Sequence, residues 1–455
     1  MRNAKRVISI LMAVLLCVAS FAGCGKNDNN SSSSTLPSGS SAPDLQTRVL
    51  KVAALESAYG QEVWKQVGAA FETLMPDVKV ELTMDKSIED VIGPAMKAGD
   101  YPDVVHLGTG RPAGMTETFV RENNMVELTD VFSMTIPGES IMVKDKLAPG
   151  FLENSIISPY GDQKSYMAPM FYGPCGLFYN AGLFRAKGWT VPETWDEMWA
   201  LGETAKAEGI SLFTYPTTGY FDAFFYALLH GTGGPEFFNK AMRYEEGIWA
   251  TPEATQAFDI VGKMATYTHP TTPANANNDN FQKNQQLILD NKALFMPNGS
   301  WVIGEMRDAP RAEGFEWGFT ALPAMVKGGD RYSYTFFEQA WIPQGAENVD
   351  LAKQFIAFLY SDVAADIFAT VGAIQPIKGI SSRLEGDMKL YYGIYENGAK
   401  PAMGFFAATN PVEGVNMADT LFGTVNSLVS GNKTQQQWME EITKSSDALR
   451  AALKK

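Results

Sequence analysis

The strongest constraint on the fold is a switch of hydrophobic period along residues 48–107. Val49 to Leu55 is a short apolar run, the pattern of a buried strand. Val63, Val67, Phe71 and Leu74 follow at spacings of four, four and three, which puts them on one face of a helix. Pro76-Asp77 stops that helix, Val78, Val80 and Leu82 alternate as a second strand, and Asp103 to Leu107 makes a third. Strand–helix–strand with helical crossovers predicts an α/β fold built on a mostly parallel sheet. Ligands of such sheets sit beyond the carboxyl ends of the strands. Those ends are Glu56-Ser57-Ala58-Tyr59 and His106-Leu107-Gly108-Thr109.

A second α/β block begins near Gly176, with Leu177-Phe178-Tyr179 as a strand. Thr194-Trp195-Asp196-Glu197 is a capping box that opens a helix with Trp195, Met198, Trp199 and Gly202 inward. Further strands are expected at Ala293 to Met296 and around Gln339 to Ile342. A helix from Asp350 carries Leu351, Phe355, Phe358 and Leu359, and the last helix starts at Thr434 with Trp438, Ile442 and Leu449 inward.

The 455 residues exceed one simple core and suit two lobes of ordinary domain size. A formal charge of −14 repels phosphate backbones, which argues against a nucleic-acid partner. His106, His230 and His269 are far apart in sequence, so no metal site is expected, and no cofactor motif stands out. The chain lacks GxxxxGK[ST], HExxH and GxSxG, so it is not expected to be an enzyme, and ATP chemistry must lie elsewhere.

The N-terminus reads as an export signal. Arg2, Lys5 and Arg6 precede the apolar run Val7 to Val18, and Ser20-Phe21-Ala22-Gly23 leads to Cys24. This resembles the lipobox of bacterial lipoproteins, which implies cleavage after residue 23 and lipidation of Cys24. Residues 26–47 are polar and Ser/Asn-rich, a flexible tether between a membrane anchor and the folded body. With Cys17 removed and Cys24 lipidated, Cys175 is left alone, without a disulfide partner, as a small buried hydrophobe.

Four segments, in order, carry a wider resemblance. Tyr101-Pro102-Asp103-Val104-Val105, Gly176 to Trp199, Asp290 to Trp301 and Phe337 to Leu359 look like extracellular solute-binding proteins of sugar ABC importers. The resemblance implies two α/β lobes joined by crossover strands, with a sugar held in the cleft between them. It places crossings near Phe171–Cys175, Phe337–Ile342 and Gln375–Gly379. The first lobe would then hold 48–171 and 343–376, the second 172–342 and 377–455. It also implies a monomer, anchored on the extracytoplasmic face, that hands its sugar to a membrane permease served by a separate ATPase.

A sugar needs aromatic plates for its C–H faces and amides or carboxylates for its hydroxyls. Residues 213–226 hold seven aromatics; Phe224 and Phe225 read as helix core, while Tyr215 and Tyr220, in a Pro/Thr/Gly loop, read equally as cleft-facing or structural. The resemblance gives Trp301 a sugar-stacking role. Tyr59 and Thr109 lie at strand ends, Phe171 and Tyr172 at the first crossing, and Asn298 in an Asn-Gly turn. Glu338 could accept sugar hydroxyls or form a salt bridge. A faint likeness around Phe171 to Asn180 points to N-acetylglucosamine oligomers. The rival readings are a secreted glycan-degrading enzyme with an aromatic-lined cleft and a binder of a non-sugar solute.

Overall fold

The structure is a computed structural model and describes residues 47–453 apart from Ala58, Gly110, Pro112 and Ala408. The segments expected to be the export signal, the lipidation site at Cys24 and almost all of the tether therefore lie outside the described residues. No helix among the described residues is long and apolar enough to cross a membrane.

Nine strands build the sheet: β1 (Arg48–Leu55), β2 (Val78–Asp85), β3 (Val104–Gly108), β4 (Ala168–Asn180), β5 (Ser211–Phe213), β6 (Ala293–Gly299), β7 (Trp317–Thr320), β8 (Arg331–Trp341) and β9 (Ala399–Ala402). Their order is β2-β1-β3-β8-β4-β6-β5, with β7 on β4 and β9 on β8. The outer pairs are parallel as expected: β1 with β2 and β3, β5 with β6, β8 with β9.

The middle pairs are antiparallel, unlike the sequence-based expectation: β3 with β8, and β4 with β8, β6 and β7. The reason is direction of travel. β4 starts beside the β3 end of β8 (Ala168 opposite Ala340) and finishes beside β6 (Phe178 opposite Met296). β8 makes the return, from Arg331 beside β9 to Trp341 beside β3. Two strands that carry the chain across and back must run opposite ways. The register of β4 slips between Pro169 and Tyr172, where a proline without an N–H interrupts the ladder.

Two apolar cores flank these crossing strands. One gathers Leu50, Val52, Trp64, Phe71, Val105, Phe171, Trp341, Phe355 and Phe358, and continues through Phe178, Ile288 and Met296. The other gathers Phe184, Trp195, Phe213, Tyr215, Phe224, Phe225, Phe258 and Trp438. The helix Glu62–Leu74 buries Val63, Val67 and Phe71 as expected, with Trp64 between them. Leu74 departs from that face and is 41% exposed, because it ends the helix and lies over Gly138 instead.

The capping box is present: Thr194 Oγ1 accepts the Glu197 N–H at 3.3 Å, and the Glu197 carboxylate accepts the Thr194 N–H at 3.3 Å. Trp195 is buried behind it. Trp199 was expected inward but is half-buried, stacked at 5.2 Å on Trp195 with Lys263 Nζ 4.8 Å above its ring. Thr434 caps the last helix with Gln437, and Trp438, Ile442 and Leu449 point inward.

The Pro-Asp of the Tyr101–Val105 segment has a structural job. Asp103 is 1% exposed and accepts the Lys51 N–H at 2.9 Å and the Asn348 N–H at 2.8 Å. One carboxylate thus ties β1 to the start of the helix Val349–Leu359.

Candidate functional site

The carboxyl end of β3 meets β8 where Gly108 pairs with Glu338. A Cβ on Gly108 would lie 3.8 Å from the Glu338 side chain, so the carboxylate stem runs over bare backbone. Glu338 Oε2 lies 3.2 Å from His106 Nε2. The imidazole is buried and held between Trp64 at 4.8 Å and Phe171 at 5.1 Å. The carboxylate remains 23% exposed, so it is oriented from below and open from above. Tyr59 stands edge-on to Phe171 at 5.3 Å, and burial, reinforced by the charge of Glu338, holds its phenol above the usual tyrosine range. Arg111 is tied to the Glu89 carboxylate, with Nη2 3.0 Å from Oε2, and also feels Glu338.

The second group of side chains lies past the end of β5 and at the end of β6. Thr217 Oγ1 accepts the Tyr220 N–H at 3.3 Å and so turns the chain just before the helix Asp222–Met242. Tyr220 is left 36% exposed, with its ring 5.4 Å from Trp301. The indole folds back over Gly299, where an added Cβ would lie 2.1 Å from ring carbons. Glycine at that position is what lets the indole lie flat on the strand end.

β4 and β8 supply the ground between the two groups. Tyr392 lies in the field of both Tyr59 and Cys175, and Tyr220 in that of both Asp222 and Cys175. Cys175 is 1% exposed, and burial pushes its thiol well above the ordinary range, so it is inert packing as expected. A cavity of about 270 Å³ opens from Thr109, the residue after β3, and is lined by Glu117, Arg121, Asn239, Arg243 and Phe405 among others.

The structure therefore brings together Tyr59, Thr109 and Glu338 at one set of strand ends, and Tyr220 with Trp301 at the other. Four expected site residues are buried instead. Phe171 is core beneath Tyr59, and Tyr172 packs on Phe151 at 4.9 Å and Tyr392 at 4.8 Å. Tyr215 is fully buried, its hydroxyl donating to Asn426 Oδ1 at 2.8 Å. Asn298 is fully buried, and its Oδ1 accepts the Gly299 N–H at 2.8 Å. The Tyr215 hydroxyl and the Asn298 carbonyl oxygen are thus satisfied from within.

Sequence reasoning missed His106 as a support for Glu338, Arg111, and Asp222 at the head of its helix. The one available signal for Asp222 was its place two residues after Tyr220. No group of three or more His, Cys, Asp or Glu among the described residues could hold a metal ion.

Residues 57–366 match the family model described as bacterial extracellular solute-binding protein. The diacetylchitobiose binding protein NgcE of Streptomyces coelicolor is 24% identical over 281 residues, covering 61% of this chain and 57% of its own. The galactooligosaccharide-binding protein of Bacillus subtilis is 26% identical over 377 residues, 80% of this chain and 78% of its own. Among solved structures, the bacterial solute receptor AcbH superposes with a TM-score of 0.67 at 17% identity, covering 89% of this chain and 98% of that one. RafE from Streptococcus pneumoniae gives 0.65 at 18%, covering 90% and 100%. The matches span 57% and 60% of the first two curated relatives, and at these identities the structural likeness establishes the two-lobed α/β fold. On the family match over residues 57–366, the chain belongs to the bacterial extracellular solute-binding protein family.

Proposed function

We propose that this chain is a lipid-anchored receptor that captures a sugar outside the cell and delivers it, unaltered, to an ABC permease. The observation that carries the reading is the Tyr220–Trp301 aromatic pair at one set of strand ends, with rings 5.4 Å apart and partly open, while the other set presents the Glu338 carboxylate. An aromatic face takes the C–H side of a pyranose, and a half-open carboxylate takes its hydroxyls.

The relatives support the same class of ligand: one is named for diacetylchitobiose, one for galactooligosaccharides and one for multiple sugars. All are binding proteins, which speaks for capture without turnover. In this reading the lobes are 48–171 with 343–376 and 172–342 with 377–455, and they close on the ligand about β4 and β8. Closure is the signal that the permease would recognise. Cys24 carries the anchor, and the tether lets the body sample both ligand and transporter.

A thermal-shift panel of diacetylchitobiose, galacto-oligosaccharides and malto-oligosaccharides tests this, with chromatography of the recovered sugar. One sugar at a hundredfold over its Kd should stabilise the protein by about 2.7 kcal/mol and be recovered intact. No shift with any sugar, or cleaved glycan, would refute the reading.

A further inference from the structure

Asp222 opens the helix Asp222–Met242, two residues past the exposed Tyr220. Its Oδ1 accepts the N–H of Ala223 at 2.6 Å. No salt bridge among the described residues includes it. The titratable groups that face it are Tyr220 on the preceding turn, Tyr226 one turn on, Cys175 on β4 and Tyr334 on β8. Glu305 lies beyond, within the field of Tyr220. None of these is a cation. Burial pushes the Asp222 carboxyl up to about 6, with only the Ala223 N–H pulling the other way. Near neutral pH the group is thus a partly desolvated, ionised acceptor with no cation beside it. It is nevertheless only partly buried, so a second molecule can reach it.

That combination calls for a donor from outside. Tyr220, in the field of Asp222, and Trp301, packed against Tyr220, offer the apolar face that a sugar ring would cover. A pyranose lying on them turns its hydroxyls outward at its rim, where an acceptor beside the rings can take them.

The geometry points to Asp222 as a ligand-binding carboxylate that accepts hydrogen bonds from the hydroxyls of a sugar stacked on Tyr220 and Trp301. This rests on the sugar-binding reading above. An amino sugar whose ammonium replaces one hydroxyl would satisfy the same acceptor, and its affinity alone would weaken with added salt.

The test compares wild type with Asp222→Asn, which keeps the shape and removes the charge. The probe is whichever panel sugar gives a thermal shift, and the readout is Kd by calorimetry at pH 5.0 and 7.5. With the free carboxyl near 6, about one tenth is ionised at pH 5.0, so wild-type affinity should fall about tenfold from pH 7.5. Asp222→Asn should bind at least about tenfold more weakly than wild type at pH 7.5, and equally at both pH values. Wild-type affinity in the variant, or a pH dependence that survives the substitution, overturns the assignment.

If no sugar binds, the functional reading has failed, and the ligand-free proteins still decide the premise about Asp222. A carboxyl raised by burial costs stability as pH climbs from its unfolded value through about 6. The unfolding midpoint of Asp222→Asn should therefore exceed that of wild type by a margin that grows between pH 4 and 7.5. A flat margin removes the unpaired carboxylate on which the inference stands.

Discussion

Gly299→Ala would disable the proposed aromatic platform without touching an aromatic residue. The added Cβ would sit 2.1 Å from Cη2 and Cζ3 of Trp301 and 2.5 Å from Cζ2. Carbon–carbon contacts settle at about 3.5 Å, so the indole must retreat by more than about 1 Å or leave its rotamer. The three closest atoms all belong to that side chain rather than to backbone, and Gly299 is not among the glycines at positive φ. The cost to the empty protein should therefore stay within about 1.5 kcal/mol, the scale of an off-rotamer side chain.

The cost to binding is larger. A sugar face covers roughly 80 Å² of indole, which at about 25 cal/mol per Å² is about 2 kcal/mol. That corresponds to roughly a thirtyfold rise in Kd. Trp301→Ala should give a similar loss, and the double variant should lose little more than either alone, since both remove one contact. Calorimetric titration of the three variants with the panel sugar checks this. A folded Gly299→Ala protein that binds within threefold of wild type would refute the platform.

Asp103→Ala should destabilise the protein by about 3 kcal/mol in urea unfolding, because two buried backbone donors, Lys51 N–H and Asn348 N–H, lose their charged acceptor. His230 is buried against Phe238 at 4.0 Å with Nδ1 2.9 Å from the Tyr226 carbonyl, and burial pushes its pKa down to about 4. The unfolded chain therefore binds a proton that the native state refuses, and stability should fall by up to about 3 kcal/mol as pH drops from about 6.5 to about 4. His230→Gln should flatten that acid limb, and an unchanged slope in pH-dependent unfolding would count against it. Cys24→Ser in the full chain should release the protein into the medium, which cell fractionation would detect; retention at the membrane would argue against lipidation.

Local order was legible in the chain itself. Helical faces, strand alternation and the Thr194 and Thr434 caps depend on neighbours three or four residues away, and those neighbours are written side by side. The two-lobed architecture was legible too, through the order of four family-like segments. What required the tertiary structure was the fate of individual polar and aromatic groups. Tyr215 and Tyr220 share one loop and one residue type, yet one is fully buried and the other 36% exposed. The difference is Asn426, which meets the Tyr215 hydroxyl from more than two hundred positions away. Likewise the opposed directions of β4 and β8 follow from where the chain must go next, not from the residues within either strand. Asp222 looks like any helix-opening aspartate until the fold brings Cys175 of β4 and Tyr334 of β8 into its field and partial burial raises its carboxyl. Desolvation is a property of what surrounds a group in space, so periodicity can place a side chain on a face but cannot say what that face will meet.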